Sequence, residues 1–239
     1  MGRAAALLGL SALVGAYYGT VTHLPSAGLW WEVAWLALVV IPAVCGLALI
    51  ALPLARQPIA VLAIVAGAFL AFALVLGLSG FHVVANFGKL GAVSFAAWAF
   101  LWLFENLSWV ILVAAIIPFV DAYSVWRGPT KAIVNNHASV FSVFSFAFPL
   151  PDGATQLGLP DLFFFALFLA TALRFALRVR VTWLALSLSF GATMAIALWW
   201  HVRGLPALPL LSAGFLVPNA DLLWHRAQRR RAPAQAEPG

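Results

Sequence analysis

Seven residues of this chain are acidic, and two of them stand where an acid is expensive. Asp121 lies inside the apolar run VILVAAIIPFVDAYSVW, and Asp161 opens another, GLPDLFFFALF. An ionisable group at membrane depth costs enough to mark a functional site by default. The other five acids have plainer roles. Glu32 follows two tryptophans at the start of an apolar run, Glu105 stands in a short connection, Asp152 in a loop and Glu237 in the tail. Asp221 lies beside Trp224, His225 and an arginine cluster, as a paired acid at a membrane surface would. Asp161 also has a local explanation, because proline ahead of it suits a first helical turn and an acid there suits the positive end of the helix dipole.

A facing pair of aspartates would do proton chemistry. Asp121 lies six residues before Arg127, about 9 Å from that helix end at ~1.5 Å per residue. Asp161 begins the next apolar run, and one loop joins the two, so both sit at a similar shallow depth on one side. Neighbouring helices pack about 8–10 Å apart, close enough for two such side chains to meet across a water. Carboxylates that close cannot both ionise cheaply, so they share a proton. One can then take a proton from an attacking water while the other donates to a carbonyl oxygen, as an aspartic protease requires. Spacing alone does not separate such a dyad from a proton relay or a packing role.

The elements that must position them are membrane spans. Of 239 residues, 64% are hydrophobic and only 8% charged, far from the roughly one-quarter charge of soluble domains. An integral membrane protein is expected, in a GC-rich prokaryote to judge from eleven arginines against two lysines. A span needs about 20 apolar residues. That rule predicts eight, at about 4–22, 29–52, 58–79, 84–104, 107–126, 158–177, 181–200 and 205–224. The fourth is diluted by Asn86 and Lys89. The tail from 225 to 239, with its RAQRRR and Pro/Ala content, is expected to be a disordered cytoplasmic segment. Nine basic residues fall on the side of the termini and four on the other, which puts the termini in the cytoplasm. The net charge of +6 sits at segment ends, so it reflects orientation and not a nucleic-acid partner. The lone Cys45 makes neither a disulfide nor a thiolate metal site, and Asn135, Asn136 and His137 are a poor ligand set, so neither metal nor cofactor is expected.

A third stretch, GLPALPLLSAGF at 204–215, opens the last span on the side of the two aspartates. The order is an aspartate within a span, Gly158-x-x-Asp161 at the start of the next, and Pro206-Ala207-Leu208 after one more. It resembles the intramembrane aspartyl proteases of the presenilin and signal peptide peptidase family, whose motifs are Tyr-Asp, Gly-x-Gly-Asp and Pro-Ala-Leu. Val120 replaces the family's tyrosine, with Tyr123 two places on, and Pro160 replaces its second glycine. The resemblance covers about 107–224, leaving 1–106 as N-terminal helices. It implies a presenilin-like helical bundle of eight to nine spans, with Asp121 and Asp161 catalytic. It further implies that Gly158, Leu159, Pro160, Pro206, Ala207 and Leu208 lie against substrate. With the termini inside, the orientation is that of signal peptide peptidase. The implied partners are transmembrane segments with a cytoplasmic N-terminus, such as leftover signal peptides, within the lipid bilayer. Two alternatives stand beside it: a catalytically impaired homologue that binds such segments, and a proton-coupled transporter.

Cleaving a transmembrane helix requires unwinding it, and the freed backbone groups then need partners. Between the aspartate spans lies SVFSVFSFAFPLPDG, with Phe141, Phe144, Phe146 and Phe148 in a strand-like setting and a turn signal at FPLPDG. Residues 140–148 are expected to offer a strand edge to the substrate; a short interfacial helix would fill the same loop equally well.

Overall fold

A computed structural model describes residues 2–127, 143–151, 153–200 and 205–231 of the chain. Helix α1 (Arg3–Thr20) is followed by α2 (Leu29–Trp35) and α3 (Ile41–Ala51), which a π-helical turn at Leu36–Val40 joins into one long segment. Then come α4 (Ile59–Leu78), α5 (His82–Leu101) and α6 (Leu107–Trp126). Strands β1 (Ser145–Leu150) and β2 (Gly153–Gly158) lead straight into α7 (Leu159–Arg174), followed by α8 (Val179–Trp199), α9 (Leu208–Leu216) and α10 (Ala220–Arg231). Among the described residues the fold is thus helical, with one hairpin. The π-helical turn has a local cause. Pro42, in the first turn of α3, has no N–H for the carbonyl four residues back and crowds it with its ring. Widening the preceding turn relieves that crowding.

Among the described residues six helical segments are long and apolar enough to cross a membrane: Arg3–His23, Leu29–Arg56, Ile59–Leu78, His82–Leu101, Leu107–Val125 and Val179–Trp199. The chain is an integral membrane protein. The two other expected spans differ. Helix α7 has 16 residues and is buried through Phe165–Ala172, so it meets protein and not lipid along most of its length. An apolar helix buried on all sides is a core helix. The last expected span is interrupted by a 3-10 turn at Val217–Asn219 around Pro218. The tail also departs from expectation, since α10 runs on to Arg231. Alanine, glutamine and arginine are good helix formers, and polarity alone does not unwind them. Residues 232–239 lie outside the described residues.

Two ends of the bundle can be told apart. Tyr17 and Tyr18, at the end of α1, reach the hairpin, whereas Arg174, at the end of α7, bonds the Leu101 carbonyl at the end of α5. Exposed tryptophans mark both levels, Trp30, Trp31, Trp199 and Trp200 at the hairpin end and Trp102, Trp109 and Trp224 at the arginine end, as aromatic belts do at the two bilayer interfaces. Asp221 is the paired acid its neighbours indicated, bidentate with Arg178 at 2.9 and 2.6 Å.

Close helix approach depends on glycine. A Cβ on Gly191 of α8 would stand 2.6 Å from the Ala37 Cβ and 3.1 Å from its Cα, inside the π-helical turn. Backbone cannot yield as a side-chain tip can, so Gly191→Ala should destabilise the protein by about 1–3 kcal/mol. Gly67, where an added Cβ would meet nothing within 4 Å, is the matched control. Thermal unfolding in detergent should show a lowered midpoint for Gly191→Ala and an unchanged or raised one for Gly67→Ala. Equal midpoints would remove this contact from the account.

Candidate active site

The hairpin forms because Phe146 and Phe148 alternate with smaller residues and bury one face in the core. Its register runs from Ser145↔Gly158 to Leu150↔Gly153, with Gly153 at φ 153°, a backbone that glycine takes readily. The Leu159 amide donates to the Phe144 carbonyl at 3.0 Å, extending the ladder into the first residue of α7. Counting back by twos, Phe146, Phe148 and Leu150 exchange hydrogen bonds with β2, while Ser145, Ala147 and Pro149 turn their backbone groups outward. Proline there forfeits no ladder bond.

Those outward carbonyls are taken. Lys89 Nζ donates to Ser145 O at 2.9 Å, and the Tyr18 hydroxyl and Asn86 Nδ2 donate to Ala147 O at 2.9 and 3.3 Å. The Tyr17 hydroxyl donates to Pro149 O at 3.2 Å. The expected edge at 140–148 is therefore corrected. Its strand part is pinned to α1 and α5, Val143 and Phe144 precede the strand, and residues 140–142 lie outside the described residues. The other edge, on β2, turns the backbone of Ala154, Gln156 and Gly158 outward, and no described strand pairs with it.

Gly158 ends β2 and caps α7. A Cβ there would stand 3.0 Å from Asp161 Oδ2, so glycine lets that carboxylate fold back on the strand end. Pro160 occupies the first turn of α7, where a missing N–H breaks no helical bond. Asp161 follows it, half-buried, beside the Gly158 amide and within electrostatic reach of Asp121. Asp121 is half-buried on α6, three residues beyond Pro118, while its neighbours Phe119, Val120 and Tyr123 face outward. Its Oδ2 accepts the Leu208 amide at 3.0 Å. That amide is the first of α9, whose own Ala207 supplies no side-chain cap, so Asp121 serves as the cap from a distant helix. Pro206, Ala207 and Leu208 are buried and present this amide to the carboxylate.

Asp121, Asp161, Gly158 and Leu208 are thus brought together, Leu159 serves the ladder, and Pro160 is exposed at the helix start. Asn135, Asn136 and His137 lie outside the described residues. Among those described, no group of three or more His, Cys, Asp or Glu residues could hold a metal ion. Sequence reasoning missed the hairpin's supports, Tyr17, Tyr18, Asn86 and Lys89. The signal was present as two polar residues three positions apart on one helix face of α5. Chemically, the arrangement holds one carboxylate by a single oxygen, leaving the other free to exchange a proton with a neighbour or a water. Compared with known proteins, the chain matches no family model, no curated protein and no solved structure.

If Asp121 caps α9, its acceptor oxygen is worth more to folding than its charge. Asp121→Ala should leave the buried Leu208 amide unpaired, at a cost of about 1–3 kcal/mol. Asp121→Asn retains an acceptor and should unfold within a degree or two of wild type, to the order expected of a small surface-level change. Thermal unfolding of the two variants checks this, and an equal loss in both would deny the cap.

Proposed function

We propose that this chain is an intramembrane aspartyl endopeptidase of the presenilin and signal peptide peptidase kind. The observation that carries the proposal is the convergence of three short, separated motifs on one point: Asp121 bonds Leu208 across 87 positions, with Asp161 within electrostatic reach. In this reading one carboxylate removes a proton from water as its oxygen attacks the peptide carbonyl carbon, and the other protonates the carbonyl oxygen. Collapse of the tetrahedral intermediate breaks the C–N bond, and the proton gained from water passes to the leaving amine. Leu208, by holding one oxygen of Asp121, fixes which oxygen points toward the water.

The substrate would be a transmembrane segment unwound next to α7. Its freed amides and carbonyls would pair with the outward edge at Ala154, Gln156 and Gly158, which ends within three residues of Asp161. Positive-inside orientation would put the arginine end and both termini in the cytoplasm of a prokaryotic cell. The site would then lie at the opposite leaflet and take segments with a cytoplasmic N-terminus, such as leftover signal peptides.

Proteolysis by the purified protein in liposomes, with a signal-peptide substrate, tests the reading. Wild type should cut, and Asp121→Asn or Asp161→Asn should each lower the rate by at least about 10³-fold while remaining folded, as loss of an acid–base partner does. Cleavage that survives both substitutions would sink the dyad. Cleavage by Pro160→Gly alone would make the natural chain an impaired homologue, and no cleavage by any form, with acid-dependent transport, would favour the proton-coupled transporter.

A further inference from the structure

At the end of the bundle away from the aspartates, the ends of α5 and α7 meet the 3-10 turn at Leu52–Arg56 around a cavity of about 280 Å³. Arg56 and Arg174 line it together with Trp98, Leu101 and Trp102, and among the described residues no carboxylate does. Arg174 spends one nitrogen on the Leu101 carbonyl at 2.6 Å and stacks its guanidinium on Trp102, 5.5 Å from the ring centre. A guanidinium carries five N–H donors, so most remain available. Arg56 makes no ion pair with any described residue. Trp98 is 1% exposed, and its indole N–H has no partner. The wall therefore offers two cations, one of them engaged through a single nitrogen by a backbone carbonyl. Both arginines are exposed and end separate helical segments, as the helix dipole favours, and an anion lying between them would be held by both.

The level of the cavity narrows the anion. Trp102, half-exposed at its edge, belongs with Trp109 and Trp224 to the aromatic belt of this end, so the cavity lies at headgroup depth. Planar guanidinium groups match phosphate oxygens in pairs, and basic pockets between transmembrane helices hold phosphorylated headgroups. We propose that this cavity binds a phosphate group, supplied as the headgroup of an anionic phospholipid in the surrounding leaflet. The phosphate would sit between Arg56 and Arg174, with the acyl chains outside along the bundle. The lipid would then tie α5 and α7 to the end of the long α2–α3 segment, and it would do so whether or not the chain is a protease.

The test uses the full chain in nanodiscs of phosphatidylcholine alone, phosphatidylcholine with phosphatidylglycerol, or phosphatidylcholine with inorganic phosphate in the buffer. Thermal unfolding and native mass spectrometry are read on each. Wild type should unfold at a higher temperature with phosphatidylglycerol than without it and retain one such lipid in the mass spectrum. Arg56→Gln should weaken that retention by about fivefold, the worth of one basic residue at an anionic surface. Arg56→Lys should keep most of it. Arg226→Gln, which removes a charge of the same end away from the cavity, should keep all of it. Equal stabilisation by inorganic phosphate would retain the phosphate site and overturn its lipid source. Wild type indifferent to both phosphatidylglycerol and phosphate, or Arg56→Gln indistinguishable from wild type, would overturn the site.

Discussion

Hydrocarbon offers no hydrogen bonds, so every backbone group left over at a helix or strand end must find its partner inside the protein. Several polar side chains of this bundle answer that demand. The outward carbonyls of β1 go to Tyr17, Tyr18, Asn86 and Lys89. The first amide of α9 goes to Asp121, and the Leu101 carbonyl at the end of α5 goes to Arg174. Asn219, fully buried, accepts from the Arg178 amide and donates to Thr182 and to the Phe215 carbonyl. All of these but the Asn219–Phe215 bond, four residues apart, tie one element to another far along the chain, so satisfying the backbone also fixes the packing.

The candidate site is a product of the same demand. Irregular backbone at membrane depth survives only where protein covers it or it lines a cavity, and here the hairpin, the start of α7 and the start of α9 are gathered at one end. A helix start displays unpaired amides, and these draw carboxylates. Asp161 sits in the first turn of α7, and Asp121 closes the first turn of α9 from α6. The hairpin's inner edge is consumed by its anchors, and no described strand pairs with the β2 edge, the one continuous with Asp161. Anchoring on one edge, with no strand partner on the other, is how a strand can be held still while another strand is added to it.

Much of this was legible in the sequence because it is expensive. Aspartate in an apolar run is too costly to be incidental, and the turn at FPLPDG is spelled by proline, aspartate and glycine. Leu208 was placed by its motif and not by any property of leucine, since its contribution is a backbone amide. Asn86 and Lys89 registered only as a weakening of the fourth span. Their meaning lies in bonds 61 and 56 positions away, which no local window contains. Of the eight expected spans, α7 and the segment broken at Pro218 fall short of span length for a related reason. Hydropathy reports how apolar a segment is, and not whether lipid or other helices surround it, so a 16-residue core helix and a membrane span read alike.

The distribution of charge separates what structure needs from what it does not. Acids at helix starts and arginines at helix ends follow the helix dipole, each favoured by about 0.3–1 kcal/mol, and Asp161, Asp221, Arg56 and Arg174 all obey it. Asp221 goes further in the ordinary way, neutralised by Arg178 across a bidentate pair. The acids of the candidate site are not neutralised in this way. Asp121 and Asp161 are brought within reach of each other with no described cation between them, although one capping acid at a time would satisfy either helix. Like charges gathered in low dielectric raise the energy of the fold unless a proton is shared, so the arrangement opposes stability. A cost of that kind is more than two helix caps require, since either helix start is satisfied by one acid.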